Sequence, residues 1–181
     1  MSSKEKYVAF LRGINVGGHH KVPMADLKTL LEKKGLKNIV TLLNSGNIIF
    51  DTNPDKNENI EEVISTSLEK HFGFPVPTVV RRAEAINELF NANPFDDVLV
   101  TKDIRLYISL MKKNVDSNLE LPWISSDQSY EIRYKKDQNI LSVLDLSISK
   151  TPKAMEILEK TYGKNITTRN WNTIERIVKK L

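Results

Sequence analysis

Three clusters in the chain carry residue types suited to holding a ligand. The first is Arg12-Gly13-Ile14-Asn15-Val16-Gly17-Gly18, with Lys21 just beyond. It places a guanidinium before its glycines and an ammonium after them. Glycine backbones leave N–H groups approachable, and such groups beside cations suit an anion or a polar planar ligand. The second cluster, Asn44-Ser45-Gly46-Asn47, offers amides and a hydroxyl. The third, Thr167-Thr168-Arg169-Asn170-Trp171-Asn172, opens the last helical stretch. A helix start carries unpaired N–H groups and the positive end of the dipole, so it too favours anions. The candidate ligand-binding residues are therefore Arg12, Gly13, Asn15, Gly17, Gly18, Lys21, Asn44, Ser45, Gly46, Asn47, Arg169, Asn170 and Trp171.

Each cluster also has a plainer reading. Asn-Ser-Gly-Asn is a hairpin turn, because Gly and Asn accept the positive φ that tight turns need. Arg12 is a strand-end cation reaching solvent. Trp171 is a core anchor. Gly13, Gly17 and Gly18 match no phosphate-binding glycine fingerprint, and no Gly-Lys-Ser/Thr follows them.

Other chemistries find little support. The chain has no cysteine, which excludes disulfides, thiolate metal sites and cysteine nucleophiles. His19 and His20 are adjacent on a loop and point apart, with His71 far off in a helix, so no metal site is expected. Ser45 has no evident His and Asp partners, and Asp26, Asp51 and Asp145 sit in no motif. No cofactor is named by these residues. The net charge of +4 makes the surface mildly basic, with the charge spread along the chain rather than gathered in a tail. The early apolar run Tyr7–Leu11 is too short for a signal peptide or a membrane span, so no membrane partner and a cytoplasmic location are expected.

The elements that position the clusters follow from periodicity. Tyr7–Leu11 is apolar at every position and reads as a strand buried on both faces. Pro23 suits a first helical turn, Met24, Leu27, Leu30 and Leu31 form a helical stripe, and Gly35 stops it. Ile39–Leu43 and Ile48–Phe50 are strands around the Asn44–Asn47 turn. Asp51–Asn57 is a polar loop containing Pro54. Ile60, Val63, Ile64, Leu68 and Phe72 give a second helix, closed by Gly73. Thr78–Val80 is a short edge strand after Pro75 and Pro77. The order β-α-β-β-α-β is the ferredoxin-like unit, with strands in the order 4-1-3-2. In that topology the end of the first strand lies beside the start of the third, so the first two clusters share one rim.

The second half repeats this order without repeating the sequence. A connecting helix carries Ile86, Leu89 and Phe90. Strands follow at Arg105–Met111, Tyr130–Lys135 and Ile140–Leu146, with a short helix in Val115–Trp123. Thr151-Pro152 opens a helix with Met155, Leu158 and Tyr162. Asn165–Thr168 is a last short strand. Ile174, Ile177, Val178 and Leu181 mark a final amphipathic helix, with Asn172 and Glu175 spaced as a capping box. The predicted architecture is α+β, two ferredoxin-like (α/β-plait) subdomains packed together with mainly antiparallel sheets and a C-terminal helix. The subdomains fall at 1–82 and 83–181.

Packing bears on function here. The two helices of the first unit cover one face of its sheet, and its other face is equally apolar, so something else must cover that face. The second-half strands alternate instead, which predicts one wet face, with Arg105, Arg133 and Lys135 as a further basic surface. RNA-binding modules of this fold stack bases on aromatics of an open sheet face. The corresponding face in the first unit is aliphatic and buried, which disfavours that mode.

The segments LRGINVGG at 11–18, KVPMADLK at 21–28, TLLNSGNIIF at 41–50 and TTRNWNT at 167–173 resemble the bacterial domain-of-unknown-function family 1697. The resemblance implies a pair of α/β plaits. It also implies that Arg12, Gly13, Asn15, Gly17, Gly18, Asn44–Asn47, Arg169, Asn170 and Trp171 belong to the family's signature. Leu42 stands where that motif commonly has an aromatic. No reaction is implied.

Three functional readings follow. The first is a binding protein for a phosphate-bearing small molecule or a nucleic acid at the Gly/Asn/Arg rim. The second is an enzyme on a small anionic metabolite, with Arg12 and Arg169 as charge clamps and rim amides as transition-state donors. The third is a protein-interaction or dimerisation module, a homo-oligomer included, motivated by the apolar sheet face.

Overall fold

The computed structural model describes residues 4–53, 59–112, 119–151 and 155–181. The chain divides into two compact units, Met1–Glu88 with Ile177–Leu181, and Leu89–Arg176.

Unit 1 contains β1 (Glu5–Leu11), α1 (Met24–Lys33), β2 (Lys37–Leu42), β3 (Asn47–Thr52), α2 (Ile60–Phe72) and β4 (Thr78–Arg82). Its four strands lie in the order β2-β3-β1-β4, the ferredoxin-like arrangement that the sequence predicts. Register is set by the apolar runs: Tyr7 faces Phe50, Ala9 faces Ile48 and Phe10 faces Asn47. Tyr7, Ala9, Leu11, Ile48, Phe50 and Val80 share a core with Leu27 and Leu31 of α1 and Ile64 and Leu68 of α2. Val8, Phe10, Ile49 and Val79, which point the other way, are buried as well. A strand that is apolar at every position thus has both faces dry, as its composition requires. The edge strand β4 is protected at Val80, whose N–H donates to Glu61 Oε1 on α2 (2.8 Å).

Helix α3 (Ala83–Asn91) leads into unit 2. There β5 (Ile104–Met111), β6 (Trp123–Ile124), β7 (Tyr130–Lys136), β8 (Asn139–Asp145) and β9 (Ile166–Asn170) form a sheet of order β6-β7-β8-β5-β9. Without β6 this is again the 4-1-3-2 order. Helix α4 (Glu156–Tyr162) joins β8 to β9, and α5 (Trp171–Val178) ends the unit and runs into the last residues of unit 1.

The predicted helix in Val115–Trp123 lies partly outside the described residues. Its end, Trp123–Ile124, is an edge strand instead, with Leu119, Leu121 and Trp123 packed on the core. The expected wet sheet face is half-buried, with Arg105 and Tyr107 on β5 and Glu131, Arg133 and Lys135 on β7 all partly exposed. On the central strands, Ser109 and Ser142, polar members of the alternation, are fully buried. A small hydroxyl is easily buried once paired. Ser109 Oγ meets Thr168 Oγ1 at 2.7 Å, and the Tyr130 hydroxyl donates to Ser142 Oγ at 2.9 Å.

Candidate functional site

The rim at the end of β1 is built from two loops tied together. Leu11 N–H donates to Gly46 O (2.8 Å), and Arg12 N–H donates to Pro77 O (2.9 Å) at the entrance to β4. Gly46 has φ +79°, and a Cβ there would lie 2.7 Å from Leu11 Cβ and 2.8 Å from Ile14 Cδ1. Only glycine allows the hairpin to approach β1 so closely.

The stretch between Arg12 and Val22 is itself a small β-hairpin. His19 N–H donates to Val16 O (3.0 Å), and Asn15 N–H to His20 O (3.1 Å). Gly17 and Gly18 form the turn with φ +58° and +78°, the two positive values a type I′ turn requires. The base of this finger is clamped by Asn15. Its Nδ2 donates to Val22 O (3.1 Å) and to Asn44 O (2.8 Å), and its Oδ1 accepts from Val22 N–H (2.8 Å). His20 Nδ1 lies 3.1 Å from Gly13 O, and its ring stacks on Phe74 at 4.4 Å. Asn47, fully buried, braces the other loop, with Nδ2 donating to Leu42 O (2.9 Å) and Ser45 Oγ (3.1 Å).

The rim residues therefore divide by what their side chains do. Asn15, Gly46 and Asn47 hold the two loops against each other. Gly13, Gly17, Gly18, Lys21, Asn44 and Ser45 lie on the exposed surface, and Arg12 is half-buried. Val16, beside the turn, is 68% exposed.

The third cluster belongs to unit 2 and is more enclosed than a surface anion site. Arg169 is buried on β9, where its Nη1 donates to Thr167 Oγ1 (2.9 Å) and Thr168 O (3.0 Å). Burial pushes its pKa down to about 10, which still leaves it charged at neutral pH. Asn170 caps α5, its Oδ1 accepting from Asn172 N–H at 2.9 Å. The cap is thus two residues before the predicted Asn172. Trp171 stacks on Phe90 (5.8 Å) and meets Phe95 edge-on (5.1 Å). Arg133, of the expected basic surface, is paired with Asp97, Nη1 to Oδ1 at 2.8 Å. That hydrogen bond and charge hold the Asp97 carboxyl below its usual range. Among the described residues no three His, Asp or Glu side chains converge as metal ligands, and no helix is long and apolar enough to cross a membrane.

Residues 4–140 match the model of the family described as "Protein of unknown function (DUF1697)". The chain belongs to this family. The matched segment takes in the whole rim, whereas Arg169, Asn170 and Trp171 lie beyond it. A solved structure of a conserved bacterial protein from Streptococcus pneumoniae is similar over 99% of each chain, with a TM-score of 0.74 and 24% identity. At that identity the likeness speaks to the fold. No curated protein matches the chain.

Sequence reasoning had no sign that the glycine loop would be a braced finger, although Gly17-Gly18 is a hairpin dipeptide. It also missed Phe74 as the platform under His20, since nothing local joins residues that far apart.

Proposed function

We propose that this DUF1697 protein binds a phosphate-bearing ligand, nucleic acid first, at the rim of unit 1. The observation that carries this reading is the Asn15 clamp. It fixes the base of an exposed, glycine-tipped finger that begins at Arg12 and leaves at Lys21, so the backbone there is ordered before any ligand arrives. Pre-ordering lowers the entropic cost of binding. A projecting finger suits a long polyanion that lies across it better than a small molecule that must be enclosed.

The alternative, an enzyme on a small anionic metabolite, asks the rim amides to donate to substrate. Both Nδ2 hydrogens of Asn15 and of Asn47 already have partners within the protein, which weighs against that reading.

The test is fluorescence anisotropy of labelled single- and double-stranded oligonucleotides across a salt series, with wild type and the Arg12→Ala/Lys21→Ala double variant. Log affinity should fall linearly with log salt, by roughly 0.7–0.9 per phosphate contact, and the double variant should lower that slope by one to two contacts' worth. Absence of binding to every DNA and RNA tested, or a slope the variant leaves unchanged, overturns the proposal.

A further inference from the structure

His20 brings an aromatic ring to the base of the finger, and the contacts of that ring fix which parts of it are available. One face lies on Phe74, with ring centroids 4.4 Å apart and planes 20° from parallel. One edge is pinned as well, since Nδ1 lies 3.1 Å from Gly13 O. A carbonyl only accepts, so Nδ1 carries the hydrogen in this contact. His20 is nevertheless exposed. With one face on Phe74 and the Nδ1 edge at Gly13, what the ring shows to solvent is its other face and its Nε2 side.

The ring is supported from below. Phe74 is half-buried, packs against the core of unit 1 and lies 6.3 Å from the ring of Phe72 at the end of α2. His20 therefore tops a run of rings that starts in the core and ends at solvent. Its backbone is tied to the clamp, because His20 O accepts from Asn15 N–H at 3.1 Å. Lys21, the next residue, is exposed too. A supported aromatic face beside a cation is the pairing that single-strand binders use, with a base stacked on the ring and a backbone phosphate near the charge. In a duplex both faces of an interior base are already stacked on its neighbours, so the base that reaches such a ring comes from an unpaired strand.

We propose that the outer face of His20 is a stacking platform for an unpaired base, so that the nucleic acid taken at the rim is single-stranded. This rests on the reading of the rim as a nucleic-acid site and gives that site its preference. The mode differs from base stacking on an open sheet, because the platform stands on a loop beside the finger while the sheet of unit 1 stays buried on both faces.

The test is fluorescence anisotropy of the full chain at one salt concentration with labelled oligothymidylate, oligouridylate, an abasic strand and a duplex. Each is about twelve nucleotides long, within the usual range of single-strand site sizes. Wild type should bind the thymidylate or the uridylate strand roughly 5- to 100-fold more tightly than the abasic strand, the effect of stacking one base. It should also prefer that strand to the duplex. His20→Ala should bring the base-bearing strands down to the abasic level and leave abasic binding unchanged. His20→Phe keeps a ring but neither the donor nor any charge, and should keep the preference for bases. Equal binding of base-bearing and abasic strands by wild type overturns the proposal. So does a His20→Ala that weakens abasic and base-bearing strands alike, since the ring then only props the finger. Either result leaves salt-dependent binding at the rim standing, whereas no binding to any of the four probes removes the rim site and the platform together.

Discussion

Asn15→Ala separates bracing from ligand contact at the rim. The alanine removes two donations from Nδ2, to Val22 O and Asn44 O, and one acceptance, from Val22 N–H. At a net of about 1 kcal/mol each, these bonds contribute about 3 kcal/mol. Asn15 also has φ +54°, which asparagine tolerates and alanine does not, adding about 1 kcal/mol. The expected loss, about 4 kcal/mol, is a large part of the 5–15 kcal/mol that typically stabilises a domain. Asn15→Gly keeps the backbone relaxed and should recover about 1 kcal/mol of it. The choice of probe matters. The only tryptophans, Trp123 and Trp171, lie in unit 2 and do not report on this unit. Urea unfolding should be followed by far-UV circular dichroism, and the Val22 and Leu11 amides by hydrogen exchange. Faster exchange at Val22 should accompany the loss of stability. If Asn15→Ala stays within 0.5 kcal/mol of wild type and Val22 remains protected, the clamp is not structural and the reasoning fails.

Two further outcomes follow from buried contacts. Gly46→Ala should destabilise by about 2–5 kcal/mol, combining the cost of a positive φ with a Cβ driven into Leu11 and Ile14, and chemical denaturation measures it directly. Tyr130 is held above its usual pKa of 10.0, chiefly by burial. Its folded pKa is raised, so its contribution to stability is complete below about pH 10 and is lost as the pH rises beyond that. Unfolding free energies should decline in that alkaline range for wild type and decline less for Tyr130→Phe. Equal slopes in the two proteins would refute the assignment.

The first unit was legible because its apolar runs are long enough to show a period and end in strong punctuation. Tyr7–Leu11, Ile39–Leu43, Ile48–Phe50 and the Asn44–Asn47 turn fix three strands and one connection, and the topology then brings the two loops together. The second unit was less so, for physical reasons. Strand β6 has two residues, and two residues have no periodicity. Ser109 and Ser142 alternate like a solvated face, yet hydroxyl partners across the sheet allow both to be buried. The Arg133–Asp97 pair joins residues 36 apart. Such contacts depend on the completed fold, which no local pattern encodes. The burial of Arg169 on β9, opposite Ile108, is likewise a matter of register that no local pattern shows.

Several rim residues that stand out in the sequence serve the scaffold, and this does not argue against a site there. A loop that must present backbone and cations to a ligand is useful only if it is ordered, and a short polar finger has no core of its own to order it. Order has to come from polar groups that span the gap to a neighbouring element. Asn15 does this with both ends of its amide, Asn47 with both of its donors, and Gly46 by allowing the hairpin to close on β1. A rim that was only a fold-holding turn would need the hairpin contact but not the exposed Gly17-Gly18 tip beyond it. The finger extends past the point where bracing ends, and it begins at Arg12 and leaves at Lys21. That excess is the part of the structure that folding does not explain, and it is where a ligand should be sought.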